Sequence, residues 1–142
     1  MKYAGTAANI REEDSETPWL TSEAMKFIDA QDDKPWLCHL SYIKPHWHYI
    51  VPAPYNDMYT AADVPDAIRA EDERDYPHPV YKAFMENAIG QSFSRDEVRE
   101  TVIPAYMGLI KQCDDQMGRL FKYLEDSGQT VSYTHLTLPT KA

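Results

Sequence analysis

A stripe of apolar residues marks the C-terminal half of the chain. Its members recur at spacings of three and four, the spacing of one helix face: Val98, Val102, Tyr106, Leu109, Cys113, Met117, Leu120 and Leu124. A Ser94-x-x-Glu97 capping box precedes the stripe and Gly128 follows it, so the pattern predicts one long helix near residues 95–126. Pro104 has no backbone N–H group, and we therefore expect a kink there or the true start of the helix.

A nearly continuous apolar run covers residues 36–43, between Pro35 and Pro45. Its length and flanking prolines favour a strand over a helix segment. Continuous apolarity is typical of a parallel strand that is covered on both faces, whereas a half-exposed strand alternates. The run therefore predicts a buried strand and, with the long helix, an α/β fold. His39 lies inside this run, and we expect it to be a buried core histidine.

The pattern of polar and apolar positions predicts two shorter helices separated by a long loop. The first helix covers residues 22–30, with Thr21 as its N-cap and Glu23 in its first turn. The second lies near residues 80–89. Between them, residues 44–79 contain six of the ten prolines of the chain, which predicts a segment without regular structure.

Composition limits the classes of function without identifying one. The chain has 142 residues, about one domain by length, and a formal net charge of −9. An acidic surface disfavours non-specific binding to nucleic acid, which needs basic side chains, so no nucleic-acid partner is expected. No apolar run approaches the roughly 18 residues of a membrane span, so no membrane partner is expected either. Two cysteines, Cys38 and Cys113, are too few for a disulfide framework and fit no zinc spacing.

The densest polar chemistry follows the predicted strand, in the sequence Lys44-Pro45-His46-Trp47-His48-Tyr49. In open α/β sheets, ligands bind beyond the carboxyl ends of the strands, where loops present side chains. An imidazole at His46 could there donate to an anionic oxygen or protonate a leaving group; it could also be a loop histidine without a function. His46 and His48 are spaced as a possible zinc pair, which would need at least a third ligand.

Two stretches of the chain resemble a known family. Residues 34–59 read KPWLCHLSYIKPHWHYIVPAPYNDMY and are similar to the central segment of the sulfatase family, in particular to its phosphonate monoester hydrolase branch within the alkaline phosphatase superfamily. Residues 105–128 contain an Asp-Asp-x-x-Gly-Arg pattern and resemble the family helix that precedes the next metal-binding strand. The two patterns are unrelated to each other and stand in the order and spacing of the family, which makes the resemblance specific.

The resemblance implies a fold, a reaction and one site residue. The fold would be a doubly wound α/β sheet of the alkaline phosphatase type. The reaction would be metal-dependent hydrolysis of a small anionic sulfate, phosphate or phosphonate ester, with a divalent metal ion as cofactor. The histidine of the family's Lys-Pro-His loop contacts the sulfate or phosphoryl group or the departing oxygen, which points to His46 as a catalytic residue. The family usually has proline where this chain has His48, so the resemblance assigns His48 no role.

The resemblance also implies what the chain lacks. The family nucleophile is a cysteine in a Cys-x-Pro/Ala-x-Arg motif that is matured to formylglycine, and neither Cys38 nor Cys113 stands in such a motif. We therefore expect residues 1–130 to be part of a sulfatase-type catalytic domain, an internal fragment that is inactive by itself. Residues 131–142 are similar to a translated sequencing adapter and are expected to be a non-native tail.

Two functions of other classes stay open at this point. The chain could be a non-enzymatic, acidic interaction module built from a helical hairpin and a proline-rich loop. Alternatively, it could be a small zinc-binding protein that uses His46 and His48 as ligands.

Overall fold

The computed structural model describes residues 4–70 and 72–129, and the expected non-native tail of residues 131–142 lies outside them. The described residues form four α-helices: α1 (Glu16–Asp29), α2 (Pro79–Glu86), α3 (Ala88–Phe93) and α4 (Asp96–Asp126). Single 3₁₀ turns occur at Glu12–Asp14, Tyr55–Asp57 and Ala61–Asp63. No helix within the described ranges is long and apolar enough to cross a membrane.

The long helix α4 confirms the prediction made from the apolar stripe. Its end is also as predicted, since Gly128 takes a positive φ of 72° and the Gln129 N–H group donates to the Leu124 carbonyl at 2.9 Å. The predicted start is wrong in detail, because Arg95 is the N-cap and has no side-chain capping bond. Pro104 lies buried inside α4, so it does not mark the start of the helix.

The buried face of α4 includes two polar side chains in its second half. Gln112 is 1% exposed and Gln116 is 8% exposed, whereas Met117, a member of the predicted stripe, is 44% exposed. Gln112 Nε2 donates to Ser15 Oγ at 2.8 Å, whereas Gln112 Oε1 is buried and has no hydrogen-bond partner within the described residues. The predicted stripe is therefore correct at Leu109 and Leu124, which are buried, and wrong at Met117.

Helix α1 begins earlier than predicted. It starts at Glu16, so Thr21 lies inside the helix and the predicted N-cap is wrong. Pro18 is compatible with this start, because a proline in the first turn removes no hydrogen bond that the helix would otherwise make. Thr21 is completely buried, and its hydroxyl donates to the Thr17 carbonyl at 2.9 Å. Polar threonines thus occupy the face that α1 turns toward the protein.

The predicted buried strand at residues 36–43 is not found, and no residue in the described part of the chain belongs to a strand. The single sheet-like contact there is an isolated parallel bridge between Ala7 and Val51. Burial along residues 36–43 nevertheless alternates with a period of two. Leu37 is 92% exposed and Ile43 is 65% exposed, while Tyr42 OH lies 2.6 Å from Thr21 Oγ1.

One face of this segment is thus packed on the helices and the other is open. The expectation that it is covered on both faces is wrong for the described residues, as is the expectation that His39 is buried, since His39 is exposed. An α/β sheet is not observed within residues 4–70 and 72–129.

The remaining elements follow the predicted order. The described residues of the range 44–78 contain no α-helix, as the prolines predict. The helix predicted near residues 80–89 is divided into α2 and α3 at Asn87, whose backbone is extended and whose side chain accepts from the Gly90 N–H group. Neither α2 nor α3 contains a buried residue.

The apolar core lies where the loop returns to the first half of α4. Its buried members come from the N-terminal segment, the loop and α4: Ala4, Val51, Tyr55, Val102, Ala105 and Leu109. Tyr49, Phe93 and Val98 are partly buried against it. The loop that carries His46 is therefore attached to the core by the residues that follow it.

Candidate active-site loop

The residues from Lys44 to Tyr49, which we call the His46 loop, turn back on themselves. The His46 N–H group donates to the Ile43 carbonyl at 3.0 Å, and the Ile50 N–H group donates to the His48 carbonyl at 2.8 Å. These two bonds close one turn on each side of Trp47. The side chains of His46, Trp47 and His48 are all exposed. The loop backbone is therefore bonded internally while its side chains face outward.

The ring of His46 is oriented by its own loop. Nδ1 lies 2.9 Å from the Trp47 carbonyl oxygen. A carbonyl oxygen can only accept, so Nδ1 carries the proton in this contact. Nε2 then holds the lone pair of the neutral ring, or a second proton in the imidazolium form. Within the described residues no protein group is bonded to Nε2, which leaves this nitrogen available to a ligand.

Beyond the His46 loop the chain enters the core at Val51. This residue is completely buried, and its carbonyl accepts from the Ala8 N–H group at 2.8 Å. The backbone at Tyr55 packs directly against Gly108 on α4. A Cβ atom at position 108 would lie 2.3 Å from the Tyr55 carbonyl oxygen. Where a loop backbone comes this close to a helix, only glycine fits without moving the loop away.

Tyr55 forms a second attachment through its hydroxyl, which donates to Asp115 Oδ2 at 2.9 Å. Burial raises the pKa of the Tyr55 hydroxyl, and the bond to Asp115 raises it further, so the group stays a donor. Asp115 also accepts from Lys111 Nζ. That hydrogen bond is the main cause that lowers the pKa of the Asp115 carboxyl, and the bond from Tyr55 adds to it.

Sequence reasoning missed this attachment. Tyr55 and Asp115 are 60 positions apart, and no local pattern shows that they meet. Asp115 does lie in the Asp-Asp-x-x-Gly-Arg pattern that carries part of the family resemblance, which was the available signal. In the structure, Asp115 of that pattern contacts Tyr55, the first residue of the 3₁₀ turn Tyr55–Asp57.

The described residues do not fit a metal ion. No group of three or more His, Cys, Asp and Glu side chains among them is placed to hold one, so the proposed pair of His46 and His48 gains no third ligand from this part of the chain. Cys38 and Cys113 are free and partly buried. Burial raises the pKa of the Cys113 thiol, which keeps it protonated and opposes a role as nucleophile.

Comparison with known proteins identifies relatives over most of the chain. The multifunctional alkaline phosphatase superfamily protein PehA of Trinickia caryophylli is 33% identical over 135 residues, which covers 86% of this chain and 26% of that protein. An arylsulfatase of Clostridium perfringens is 26% identical over 119 residues, which covers 80% of this chain and 23% of that protein.

Solved structures agree with these relatives. The phosphonate monoester hydrolase SpPMH of Silicibacter pomeroyi superposes with a TM-score of 0.73 at 29% identity. The phosphonate monoester hydrolase of Agrobacterium radiobacter superposes with a TM-score of 0.76 at 25% identity. Each match covers 89% of this chain and 27% of the other. The chain therefore has the fold of part of these enzymes and spans about a quarter of their length.

The sequence profile of the sulfatase family matches residues 6–133, which is most of the chain. The match contains the His46 loop, its attachment at Val51 and Tyr55, and the whole of α4. It confirms the resemblance noted for residues 34–59 and 105–128. The chain belongs to the sulfatase family.

Proposed function

We propose that this chain contributes His46 to the active site of a hydrolase of sulfate, phosphate or phosphonate esters. Membership of the sulfatase family and relatives named as phosphonate monoester hydrolases and an arylsulfatase support an ester hydrolase. They favour it over the acidic interaction module and the small zinc protein. The finer assignment to His46 depends on the geometry of its loop.

The observation that carries the proposal is the orientation of the His46 ring. Because the Trp47 carbonyl binds Nδ1 at 2.9 Å, Nε2 is the nitrogen that faces a ligand. In the imidazolium form, Nε2–H donates to a sulfate or phosphoryl oxygen, or transfers its proton to the departing oxygen as the ester bond breaks. The neutral ring that remains keeps the Nδ1–H bond to Trp47, so its orientation is unchanged by the transfer.

The other parts of the reaction are proposed for the hydrolase as a whole. By family resemblance it uses a divalent metal ion and a formylglycine nucleophile. The described residues provide no set that fits the metal and no thiol in the required motif, so we assign no step of either kind to them. Sulfuryl and phosphoryl transfer depend on positioning and on neutralisation of charge. We therefore expect the 142-residue chain alone to be inactive.

The test is hydrolysis by the full-length protein that contains this chain. We expect His46→Ala to lower kcat by roughly 10²–10⁴-fold, the usual contribution of a general acid. The loss should be larger for esters with poor leaving groups, such as alkyl esters, than for 4-nitrophenyl esters, whose departing oxygen needs little protonation. His39→Ala is the matched control, because His39 is also an exposed histidine seven positions earlier; it should retain full activity.

Two results would contradict the proposal. Equal activity of His46→Ala and His39→Ala would remove His46 from the reaction. Turnover of aryl sulfate or aryl phosphonate esters by the purified 142-residue chain, lost on His46→Ala, would show that the chain is a complete catalyst and that the rest of the assignment is wrong.

A further inference from the structure

The last residue of the His46 loop is in contact with two aromatic rings. Tyr49 meets Phe93 of α3 with the ring centroids 6.3 Å apart and the ring planes at 88°. It meets Tyr106 of α4 with the centroids 6.1 Å apart and the planes at 84°. Both contacts have the edge-to-face geometry that aromatic pairs favour. The Tyr49 ring is therefore held from two helices, whereas the side chains of residues 46–48 are exposed.

A continuous series of contacts joins Tyr49 to the ring of His46. Tyr49 is the central residue of a tight turn, closed by the 2.8 Å hydrogen bond from the Ile50 N–H group to the His48 carbonyl. The preceding carbonyl of the chain is that of Trp47, and its oxygen lies 2.9 Å from His46 Nδ1. Within the described residues this is the only hydrogen bond of the His46 ring. The two helices therefore act on the ring through Tyr49 and the backbone of the loop.

We propose that Tyr49 is a positioning residue for the hydrolysis. Held by its two aromatic contacts, it keeps the Trp47 carbonyl in the place from which that carbonyl orients the ring of His46. The inference rests on the proposed function, because Tyr49 is assigned no contact with substrate and acts only through His46. A displacement of about 1 Å can lower the rate of a positioned reaction roughly 100-fold. The inference also gives α3 a role, since this helix contains no buried residue but provides the ring of Phe93.

The first test measures kcat of the full-length protein for an alkyl ester and a 4-nitrophenyl ester of the same acid. Tyr49→Ala should lower kcat for the alkyl ester about 10- to 100-fold, because the proton donor is displaced. The loss for the 4-nitrophenyl ester should be less than about threefold, because its departing oxygen needs little protonation. A residue that only stabilises the fold would lower both rates equally. Tyr49→Phe should retain the parent activity, because its ring keeps both edge-to-face contacts.

Two further variants separate this contact from folding. Phe93→Ala removes one partner ring and leaves Tyr49 in place, so it should cause a smaller loss that again falls mainly on the alkyl ester. If Tyr49→Ala does not fold, Phe93→Ala decides alone. Tyr81→Ala is the matched control: Tyr81 is 52% exposed on α2, and its removal should leave both rates unchanged. Equal losses for the two esters, or full activity toward the alkyl ester in Tyr49→Ala and Phe93→Ala, would overturn the inference.

A double-mutant cycle tests whether Tyr49 acts through His46. In the His46→Ala background, Tyr49→Ala should cause no further loss of kcat for the alkyl ester, because residues that act through one group do not have additive effects. A further loss as large as that of Tyr49→Ala in the parent protein would overturn the inference. Failure of the proposed function is a different result, since His46→Ala alone would then leave the rates for both esters unchanged.

Discussion

The two ends of the segment from Lys44 to Tyr55 have opposite surroundings. At one end, His46 and Trp47 are exposed and bonded mainly to neighbouring backbone. At the other end, Val51 is completely buried and Tyr55 is 8% exposed, bonded to Asp115. Only about five residues separate the two environments. The proposed catalytic side chain thus lies on an exposed loop whose position is determined by contacts a few residues further along the chain.

The difference teaches where mutations should act. Substitutions at the buried end should change stability, and through it the position of His46. Substitutions at the exposed end should change chemistry and leave stability nearly unaltered, because surface changes are usually within about 0.5 kcal/mol. The predictions below test this separation in order of decreasing size.

The largest effect is expected at Leu109, which is completely buried in the core against the loop attachment. Leu109→Ala leaves a cavity and should lower the free energy of unfolding by about 2–5 kcal/mol. Leu37→Ala is the control, because Leu37 is 92% exposed and should change stability by less than about 0.5 kcal/mol. Urea unfolding followed by circular dichroism measures both. Similar losses in the two variants would mean that the core is not where the structure has it.

A second test uses two glycines on the same helix. A Cβ atom at Gly108 would lie 2.3 Å from the Tyr55 carbonyl, whereas at Gly118 nothing lies within 4 Å. Gly108→Ala should destabilise by about 1–3 kcal/mol, because the loop must move away from α4. Gly118→Ala should stabilise by about 0.5–1 kcal/mol, because alanine has the higher helix propensity. The opposite signs are the prediction, and stabilisation by Gly108→Ala would contradict the close contact.

The hydroxyl of Tyr55 should contribute less. Tyr55→Phe removes the bond to Asp115 and keeps the buried ring, so a loss of about 1 kcal/mol is expected. Tyr123→Phe provides the comparison: Tyr123 OH donates to Asp29 Oδ1 at 2.5 Å, between α4 and α1 and not at the loop. Amide hydrogen exchange near Val51 should accelerate in Tyr55→Phe and stay unchanged in Tyr123→Phe. Equal exchange in both would remove Tyr55 from the loop attachment.

The smallest effect is the pH dependence of Asp115. Its pKa is lowered in the folded protein, so its contribution is present above the unfolded value of about 3.9 and is lost as pH falls through the folded value. Asp115→Asn should therefore be less stable than the parent at neutral pH, by under about 1 kcal/mol because the pair is partly solvated, and the difference should shrink as pH falls below the unfolded value of about 3.9. Asp114→Asn is the comparison at neutral pH: its side chain is 74% exposed, so stability should change by less than about 0.5 kcal/mol.

Local patterns in the sequence predicted the elements whose stability is local. The spacing of apolar residues predicts α4, and the prolines predict the long segment without α-helix before α2. Both signals act within a few residues, because a helix needs one apolar face and a proline removes one donor wherever it stands. The Lys-Pro-His pattern likewise points to His46 through the family resemblance, although only the structure shows the contact between its Nδ1 and the Trp47 carbonyl.

Contacts between distant residues were decided by the tertiary structure alone. Gln112 is buried with its Nε2 group bonded to Ser15, 97 positions away, and Thr21 is buried with its hydroxyl beside that of Tyr42. A sequence pattern treats such residues as polar and therefore exposed, since the partner that satisfies them is not visible in it. The same reason explains residues 36–43. Their burial alternates with a period of two because one face packs on the helices. The apolar sequence alone could not show that the other face is uncovered within the described residues.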